Sequence, residues 1–281
     1  MNKKVAYITA ILGGYEKTCK PFVKQTVESD FICFTDNPNI ESNGWIIDTN
    51  PYHDTHRSLV DNGLYTNSTK KEGRIKVLEN RHTFNLAKYY KQNWQNIPRL
   101  ADYDVVIWLD GSVQIIHEGV SEYMLELCSR YYIVSWHHEM RGGCLFHEAY
   151  CSYLPRYLDS NYLNQWQPYQ DVIGQYHQYL QEGYDEYFFE KYPRQEGRGR
   201  GDHFGVWLTC FVAFNNRHPI VLDFLNRWYL QTLKYTTQDQ VGFSKVVQDT
   251  KLVPYTFPDH KFKGDDPHTG CDMFIKHEHW K

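Results

Sequence analysis

The stretch YDVVIWLDGSVQII, residues 103–116, decides the fold that the sequence predicts. Five consecutive apolar residues, Val105 to Leu109, are typical of a strand in a sheet that is covered on both faces. The run ends on a carboxylate, Asp110, and a second apolar strand follows after a glycine and a serine. A charge at the end of a buried strand is costly unless a cation or several hydrogen bonds balance it. Asp110 is therefore either a ligand for a divalent cation or a carboxylate that caps a turn.

Segments on both sides of this stretch alternate between strand and helix patterns. Strands are predicted at 4–12, 30–37, 44–49, 131–136 and 206–216, and helices at 79–94, 119–131, 164–182, 218–233 and 238–248. This order predicts an α/β fold in one domain, 1–281, with a mainly parallel central sheet flanked by helices on both faces. In the helix at 79–94, Arg81, Lys88 and Lys91 are predicted to lie outside the apolar face.

The composition argues against several classes of protein. Lys and Arg number 30 against 34 Asp and Glu, and the basic residues form no long run, so a nucleic-acid footprint is not predicted. Seven cysteines without a CxxC pair favour a reduced compartment, and no apolar stretch is long enough to span a membrane. We therefore expect a cytoplasmic protein. Aromatic residues make up 16% of the chain, and they serve either as core or as platforms for a sugar-like ligand.

Polar groups follow three of the predicted strands. Gly13 and Gly14 end the first strand, Asp36 ends the second and Asp110 ends the central one. Ligands of open α/β sheets bind at the carboxyl ends of the strands, so these positions are candidate binding residues. Gly13 and Gly14 either admit a phosphate or a ring close to the backbone or form only a turn. The chain contains no GxxxxGK[ST], GxGxxG, H-E-x-x-H or GxSxG motif.

Five segments together resemble a known family. In chain order they are YITAILGGYEKTCKPF, DFICFTDN, NRHTFNLAKYYK, YDVVIWLDGSVQI and HHEMRGGCLFHEAYC. They resemble the glycosyltransferase-like family of plant mucilage-related proteins, formerly classed as a domain of unknown function. The resemblance covers roughly residues 4–250 and implies a GT-A-type fold that binds a nucleotide sugar. It also implies a nucleotide-binding half at 1–116 and an acceptor and sugar half at 117–281.

The resemblance implies roles for individual residues. It places Thr9, Gly14 and Tyr15 in the nucleotide pocket and Asp36 at the base or ribose. It directs Arg81 and Lys88 toward the diphosphate or sugar, and it sets Asp110-Gly111-Ser112 at the position of the Asp-x-Asp metal motif. Ser112 departs from that motif, because the second carboxylate is missing. A solvated helix face remains the alternative for the two basic residues.

The resemblance extends to two further segments. HKFKGDDP, 260–267, resembles a segment of retaining GT-A enzymes and implies His260 as a metal ligand and Lys263 as a phosphate contact, with Asp265, Asp266 and His268 as substitutes. Asp239 resembles an acceptor-side residue, although it is equally suited to cap its helix. Glu148 and Arg141 are placed beside the sugar, and Asp239 or Glu148 is the candidate catalytic base. By its composition, the loop at 192–205, which contains glycines and arginines, is either a lid over the diphosphate or only a disordered surface loop.

The resemblance implies that the protein is a hexosyltransferase-like glycosyltransferase. The enzyme would move a sugar from a nucleoside-diphosphate sugar to a hydroxyl acceptor, such as a glycan, with Mn²⁺ or Mg²⁺ and with retention of configuration. Ser112 in place of a carboxylate favours the alternative of a catalytically silent module that binds a nucleotide or glycan. A metal-dependent hydrolase built on the Asp and His residues is the third alternative.

Overall fold

The computed structural model describes residues 4–53, 83–153, 171–191, 205–257 and 272–277. Within these ranges the chain forms nine strands: β1 Val5–Ile11, β2 Ser29–Thr35, β3 Ile46–Asp48, β4 Val105–Leu109, β5 Val113–Ile115, β6 Ile133–His137, β7 Trp207–Asn215, β8 Tyr255–Phe257 and β9 Phe274–Lys276. The same ranges contain six α-helices: α1 Thr83–Gln92, α2 Val120–Tyr131, α3 Leu145–Tyr153, α4 Val172–Gln181, α5 Pro219–Lys234 and α6 Asp239–Thr250.

Seven of the strands form one sheet, in the order β3-β2-β1-β4-β7-β6-β8. Neighbouring strands pair in parallel except where β7 lies antiparallel to both β4 and β6. Six strands therefore run in one direction and β7 runs in the other. β5 and β9 form a separate antiparallel pair. The predicted α/β fold with a mainly parallel sheet is confirmed, with β4 as the central strand.

Helices cover one face of the sheet and a helix with the small β5–β9 pair covers the other. Alternate residues of β4 point to opposite faces, as the period of a strand requires. Val106 and Trp108 pack against side chains from α1, α5 and α6, which include Tyr89, Tyr90, Phe224, Trp228 and Phe243. Val105, Ile107 and Leu109 pack against side chains from α2, β5 and β9, which include Met124, Leu127, Val113 and Phe274. The prediction that both faces are covered is confirmed.

One feature of the predicted helix at 79–94 is wrong. Lys91 was expected outside the apolar face, but only 1% of its surface is exposed. The reason lies in tertiary structure, since Lys91 finds carboxylates on β4 and α6 that compensate its charge. No helix among the described residues is both long enough and apolar enough to cross a membrane.

Candidate active site at the end of the central strand

The carboxyl ends of the six co-directional strands share one edge of the sheet. Asp36 follows β2, Asp110 follows β4 and His138 follows β6, so these three residues lie along this edge. β7 runs the other way and begins at the same edge, where the Asp110 backbone N–H donates to the carbonyl of Cys210 over 2.8 Å. The structure thus brings together strand ends that are far apart in sequence, as open α/β sheets do at their ligand-binding edge.

Asp110 is held in a defined orientation and remains open to solvent. The period of the strand puts it on the same face as Trp108, whose indole Nε1 donates to Oδ1 of Asp110 over 2.7 Å. The ammonium group of Lys91 lies 3.3 Å from the same oxygen. The Asp110 side chain is 40% exposed, and no described residue donates to its Oδ2. One carboxylate oxygen is therefore fixed by the protein and the other is open to a ligand.

Lys91 is the buried cation of this site. Its ammonium group contacts Asp110, Asp239 and, at 3.3 Å, the hydroxyl of Thr209. Two indole rings flank it, with the centroid of Trp108 at 5.5 Å and that of Trp228 at 5.9 Å. Burial lowers the pKa of Lys91, but the two carboxylates outweigh burial, so the pKa lies above its ordinary value and the lysine is charged.

Asp239 is the first residue of α6, and its carboxylate is bound by two lysines. Lys91 contacts Oδ2 of Asp239, and Lys88, one helical turn earlier on α1, lies 3.1 Å from the same atom. Burial acts to raise the pKa of Asp239, but the two ammonium groups lower it to about 2. Burial lowers the pKa of Lys88, and Asp239 opposes that effect only in part. The two ammonium groups thus favour the ionised form of the Asp239 carboxylate at the start of α6.

Glu148 lies in a second polar cluster that continues from Asp239. Its Oε1 accepts hydrogen bonds from Gln240 (2.8 Å) and Ser152 (3.1 Å), and its Oε2 accepts one from Arg141 (2.7 Å). His138 Nε2 lies 3.5 Å from Oε2, and burial, with help from the Arg141 charge, lowers the pKa of this histidine to about 4. Only 3% of Glu148 is exposed. Its carboxylate is thus enclosed and supplied with donors.

Two of the predicted nucleotide-binding residues have buried side chains. Thr9 belongs to the set of β1 residues that faces α2 and the small sheet, and it lines a small cavity together with Asp110 and Lys20. It is 2% exposed, and its hydroxyl finds no hydrogen-bond partner among the described residues. Ser112 is also 2% exposed, and its carbonyl accepts from the backbone N–H of His277. The side chain of Ser112 is therefore buried, whereas Asp110 two residues earlier reaches solvent.

The loop after β1 is tied to the end of β2. Both carboxylate oxygens of Asp36 accept from the backbone N–H of Gly13, over 3.0 and 2.9 Å. Gly13 and Gly14 have φ values of 65° and 68°, a region that glycine enters at low cost. Tyr15 is half-buried beside them. Asp36 thus has a backbone partner, which a base or ribose would have to share or displace.

Several predicted residues lie outside the described ranges. They are Arg81, His260, Lys263, the substitute ligands Asp265, Asp266 and His268, and the loop 192–204 with its arginines. Their predicted roles stay predictions. Sequence reasoning did not assign a site role to Lys91, Trp108, Thr209 or Gln240. The spacing of Lys91 three residues after Lys88, and the position of Gln240 directly after Asp239, were the available signals.

Most of the charged side chains described at this site are paired with an opposite charge. Lys88 and Lys91 offset Asp110 and Asp239, Lys20 is paired with Glu16 at 2.8 Å, and Arg141 is paired with Glu148. These paired cations offer a diphosphate little net positive charge, and a divalent cation would add to it. The open oxygen of Asp110 suits a hard divalent cation. Among the described residues, no three His, Cys, Asp or Glu side chains gather as a ligand set for a metal ion.

The fold can be compared with those of known proteins. No protein-family model matches the chain, and no curated protein sequence matches it. Among solved structures, the crystal structure of mouse xyloside xylosyltransferase 1 in its apo form is similar, with a TM-score of 0.46 and 9% sequence identity. The similarity covers 92% of this chain and 85% of the mouse chain. At that TM-score the similarity carries no weight for the activity of this chain.

Proposed function

We propose that the protein is a glycosyltransferase that moves a sugar from a nucleoside-diphosphate sugar to a hydroxyl acceptor, such as a glycan, with the help of Mn²⁺ or Mg²⁺. The observation that carries the proposal is the state of Asp110. This carboxylate ends the central strand at the ligand-binding edge of the sheet, is fixed through Oδ1 by Trp108 and Lys91, and is open at Oδ2. An anchored yet accessible carboxylate is suited to bind a cation against a diphosphate.

The charge balance supports the need for a cation. The leaving diphosphate gains negative charge as the glycosidic bond breaks, and fixed positive charge near it lowers the barrier. Lys88 and Lys91 are already compensated by Asp110 and Asp239, so they contribute little net charge by themselves. Asp110 would hold the divalent ion, with His260 as the proposed second ligand. When bound, the ion would supply electrostatic stabilisation of the diphosphate.

The state of the two candidate bases favours retention of configuration. Asp239, with a pKa of about 2, binds a proton weakly, and Glu148 is enclosed by Arg141, Gln240 and Ser152. A general base works best with a pKa near the operating pH. In the proposed reaction the bond between the anomeric carbon and the phosphate oxygen breaks, and a bond to the acceptor oxygen forms on the same face. The acceptor proton passes to the released phosphate oxygen.

Asp239 has a different proposed role from that of a base. The anomeric carbon gains positive charge as the leaving group departs, and a permanently ionised carboxylate stabilises such a charge. Lys88 and Lys91 keep Asp239 ionised and hold it in place. Glu148, linked to the neighbouring Gln240, is proposed to support this first turn of α6 and, with Arg141, to border the sugar.

A thermal-shift experiment tests the proposal. UDP-sugars and GDP-sugars are added one at a time with and without Mn²⁺, because a ligand that binds the folded state raises its stability by about 2.7 kcal/mol at a hundredfold excess over Kd. We expect at least one donor to raise the melting temperature, and to do so only with Mn²⁺. A flat response to every donor would contradict the proposal. Binding without release of nucleoside diphosphate would instead favour the silent binding module, which the buried Ser112 supports.

A further inference from the structure

We propose that Lys91 is a positioning residue that fixes the carboxylate of Asp239 relative to Asp110. The two carboxylates come from different elements, the end of β4 and the start of α6, and Lys91 of α1 contacts both. The side chain of Lys91 is 2% exposed, which leaves its ammonium group little freedom to move away from this place. The inference gives a role in the proposed reaction to a residue that the sequence pattern placed in solvent.

The surroundings of Lys91 define one position for its ammonium group. The Thr209 hydroxyl accepts from it at 3.3 Å, and the rings of Trp108 and Trp228 lie on either side at 5.5 and 5.9 Å. These three residues belong to β7, β4 and α5, so the core itself sets where the charge lies. Trp228 also donates from Nε1 to the backbone carbonyl of Asp239 over 2.8 Å. The lysine and the start of α6 are therefore located by the same side chain.

Lys88 does not duplicate this arrangement. It contacts the same oxygen of Asp239 at 3.1 Å, but its side chain is 16% exposed, and among the described residues it forms no ion pair or hydrogen bond with Asp110. Lys88 by itself would neutralise Asp239 without fixing it relative to the end of β4. Within the described part of the chain, Lys91 is the lysine that contacts both the residue proposed for the diphosphate and the residue proposed for the sugar. A displacement of about 1 Å between catalytic groups can slow a reaction about a hundredfold, so the contact of Lys91 with both carboxylates matters for the rate.

Two measurements on Lys91→Met test this role. In its crystal structure we expect Asp239 to turn toward Lys88 and away from Asp110, while the sheet is unchanged. In transfer assays we expect kcat to fall roughly a hundredfold with little change in the donor KM, because binding groups remain but their alignment is lost. An Asp239 carboxylate that keeps its place, or a kcat that is unchanged, would overturn the inference.

Lys245→Met is the matched control. Lys245 is a buried lysine of α6, paired with Asp249 at 2.6 Å, and it contacts neither Asp110 nor Asp239. A general effect of removing a buried ion pair should appear in both variants. The inference expects kcat near the wild-type value for Lys245→Met. An equal loss of kcat in the two variants would show that Lys91 has only a structural role and would overturn the inference.

Lys91→Arg covers the case in which Lys91→Met does not fold. Arginine keeps the positive charge but places it in a planar group of different reach. We expect a folded protein whose kcat still falls, because Asp239 is held in the wrong place. Wild-type kinetics in Lys91→Arg would overturn the inference. The kinetic test rests on the proposed transferase function, whereas the crystal structure of the variant does not. If the wild-type protein shows no sugar transfer, the proposed function is refuted. The position of Asp239 in the crystal structure of Lys91→Met then decides whether Lys91 is a positioning residue.

Discussion

Trp108 donates a hydrogen bond of 2.7 Å from its indole nitrogen to Oδ1 of Asp110, two residues later on the same side of β4. The strand thereby orients its own terminal carboxylate through a core side chain, since Trp108 is 4% exposed and packs under α1 and α5. The second carboxylate oxygen faces away from this donor and is open among the described residues. A carboxylate that only caps a turn does not need one fixed and one open oxygen. A cation ligand benefits from this arrangement, because the hydrogen bond from Trp108 orients the carboxylate while the other oxygen can bind the ion.

Replacement of Asp239 by asparagine is expected to destabilise the fold. The change leaves the ammonium groups of Lys88 and Lys91, which are 16% and 2% exposed, beside a neutral amide. Removing one partner of a buried ion pair costs about 3 kcal/mol or more, and urea unfolding measures it as a lower free energy of unfolding. Asp223→Asn is the control, because the Asp223–Arg227 pair is exposed and is worth less than about 1 kcal/mol. Similar losses in the two variants would contradict the buried network.

Two threonines provide a second test. Thr9 has a buried hydroxyl to which no residue of the described ranges is hydrogen-bonded, whereas the Thr209 hydroxyl accepts from Lys91. Thr9→Val is therefore expected to leave the free energy of unfolding unchanged or to raise it, and Thr209→Val to lower it by about 1 kcal/mol. If Thr9 also binds the nucleotide, as the sequence implies, Thr9→Val weakens donor binding in a titration. A Thr9→Val variant as unstable as Thr209→Val would contradict the described environment of Thr9.

Stability is expected to fall as the pH is lowered below neutral. Burial lowers the pKa of His137 to about 4, and burial with the Arg141 charge does the same for His138. The unfolded chain takes up protons near its ordinary histidine pKa of about 6.5, before the folded protein does, so the free energy of unfolding decreases with pH in that interval. The loss is roughly 2 kcal/mol per histidine between about pH 7 and about pH 5.

Urea unfolding at a series of pH values measures this dependence. His137→Gln removes one titrating group and should flatten the curve. Identical slopes for the wild type and His137→Gln would show that His137 does not titrate as its burial requires.

The fold was predictable because its signals are local. The apolar run of β4, the proline at the start of α5 and the alternation of strands with helices follow from side-chain period and backbone chemistry. The exposed end of β4 at Asp110 followed from the same reasoning. Periodicity also placed Lys88 and Lys91 on the polar side of α1, yet Lys91 is buried. Its partners Asp110 and Asp239 lie 19 and 148 residues further along the chain. A local sequence pattern cannot predict contacts between residues so far apart in sequence.

The site was predictable only as a set of strand ends. The sequence predicted Asp36, Asp110 and Asp239 as site residues. It could not show that the backbone N–H of Gly13 donates to Asp36 or that two lysines bind Asp239. Those facts depend on how loops and helices return to one edge of the sheet. The enclosure of Glu148 by Gln240 and Arg141 likewise depends on the packing of α3 against α6.

The most direct measurement compares donor turnover in the wild type and in Asp110→Asn at saturating Mn²⁺. Asp104→Asn serves as the control, because Asp104 precedes the same strand at the opposite edge of the sheet and pairs with Arg217. The account predicts that Asp110→Asn lowers release of nucleoside diphosphate by roughly a hundred- to a thousandfold, with the fold intact and with Asp104→Asn near wild type. Equal turnover in Asp110→Asn and the wild type would contradict a cation-binding role for the carboxylate that ends the central strand.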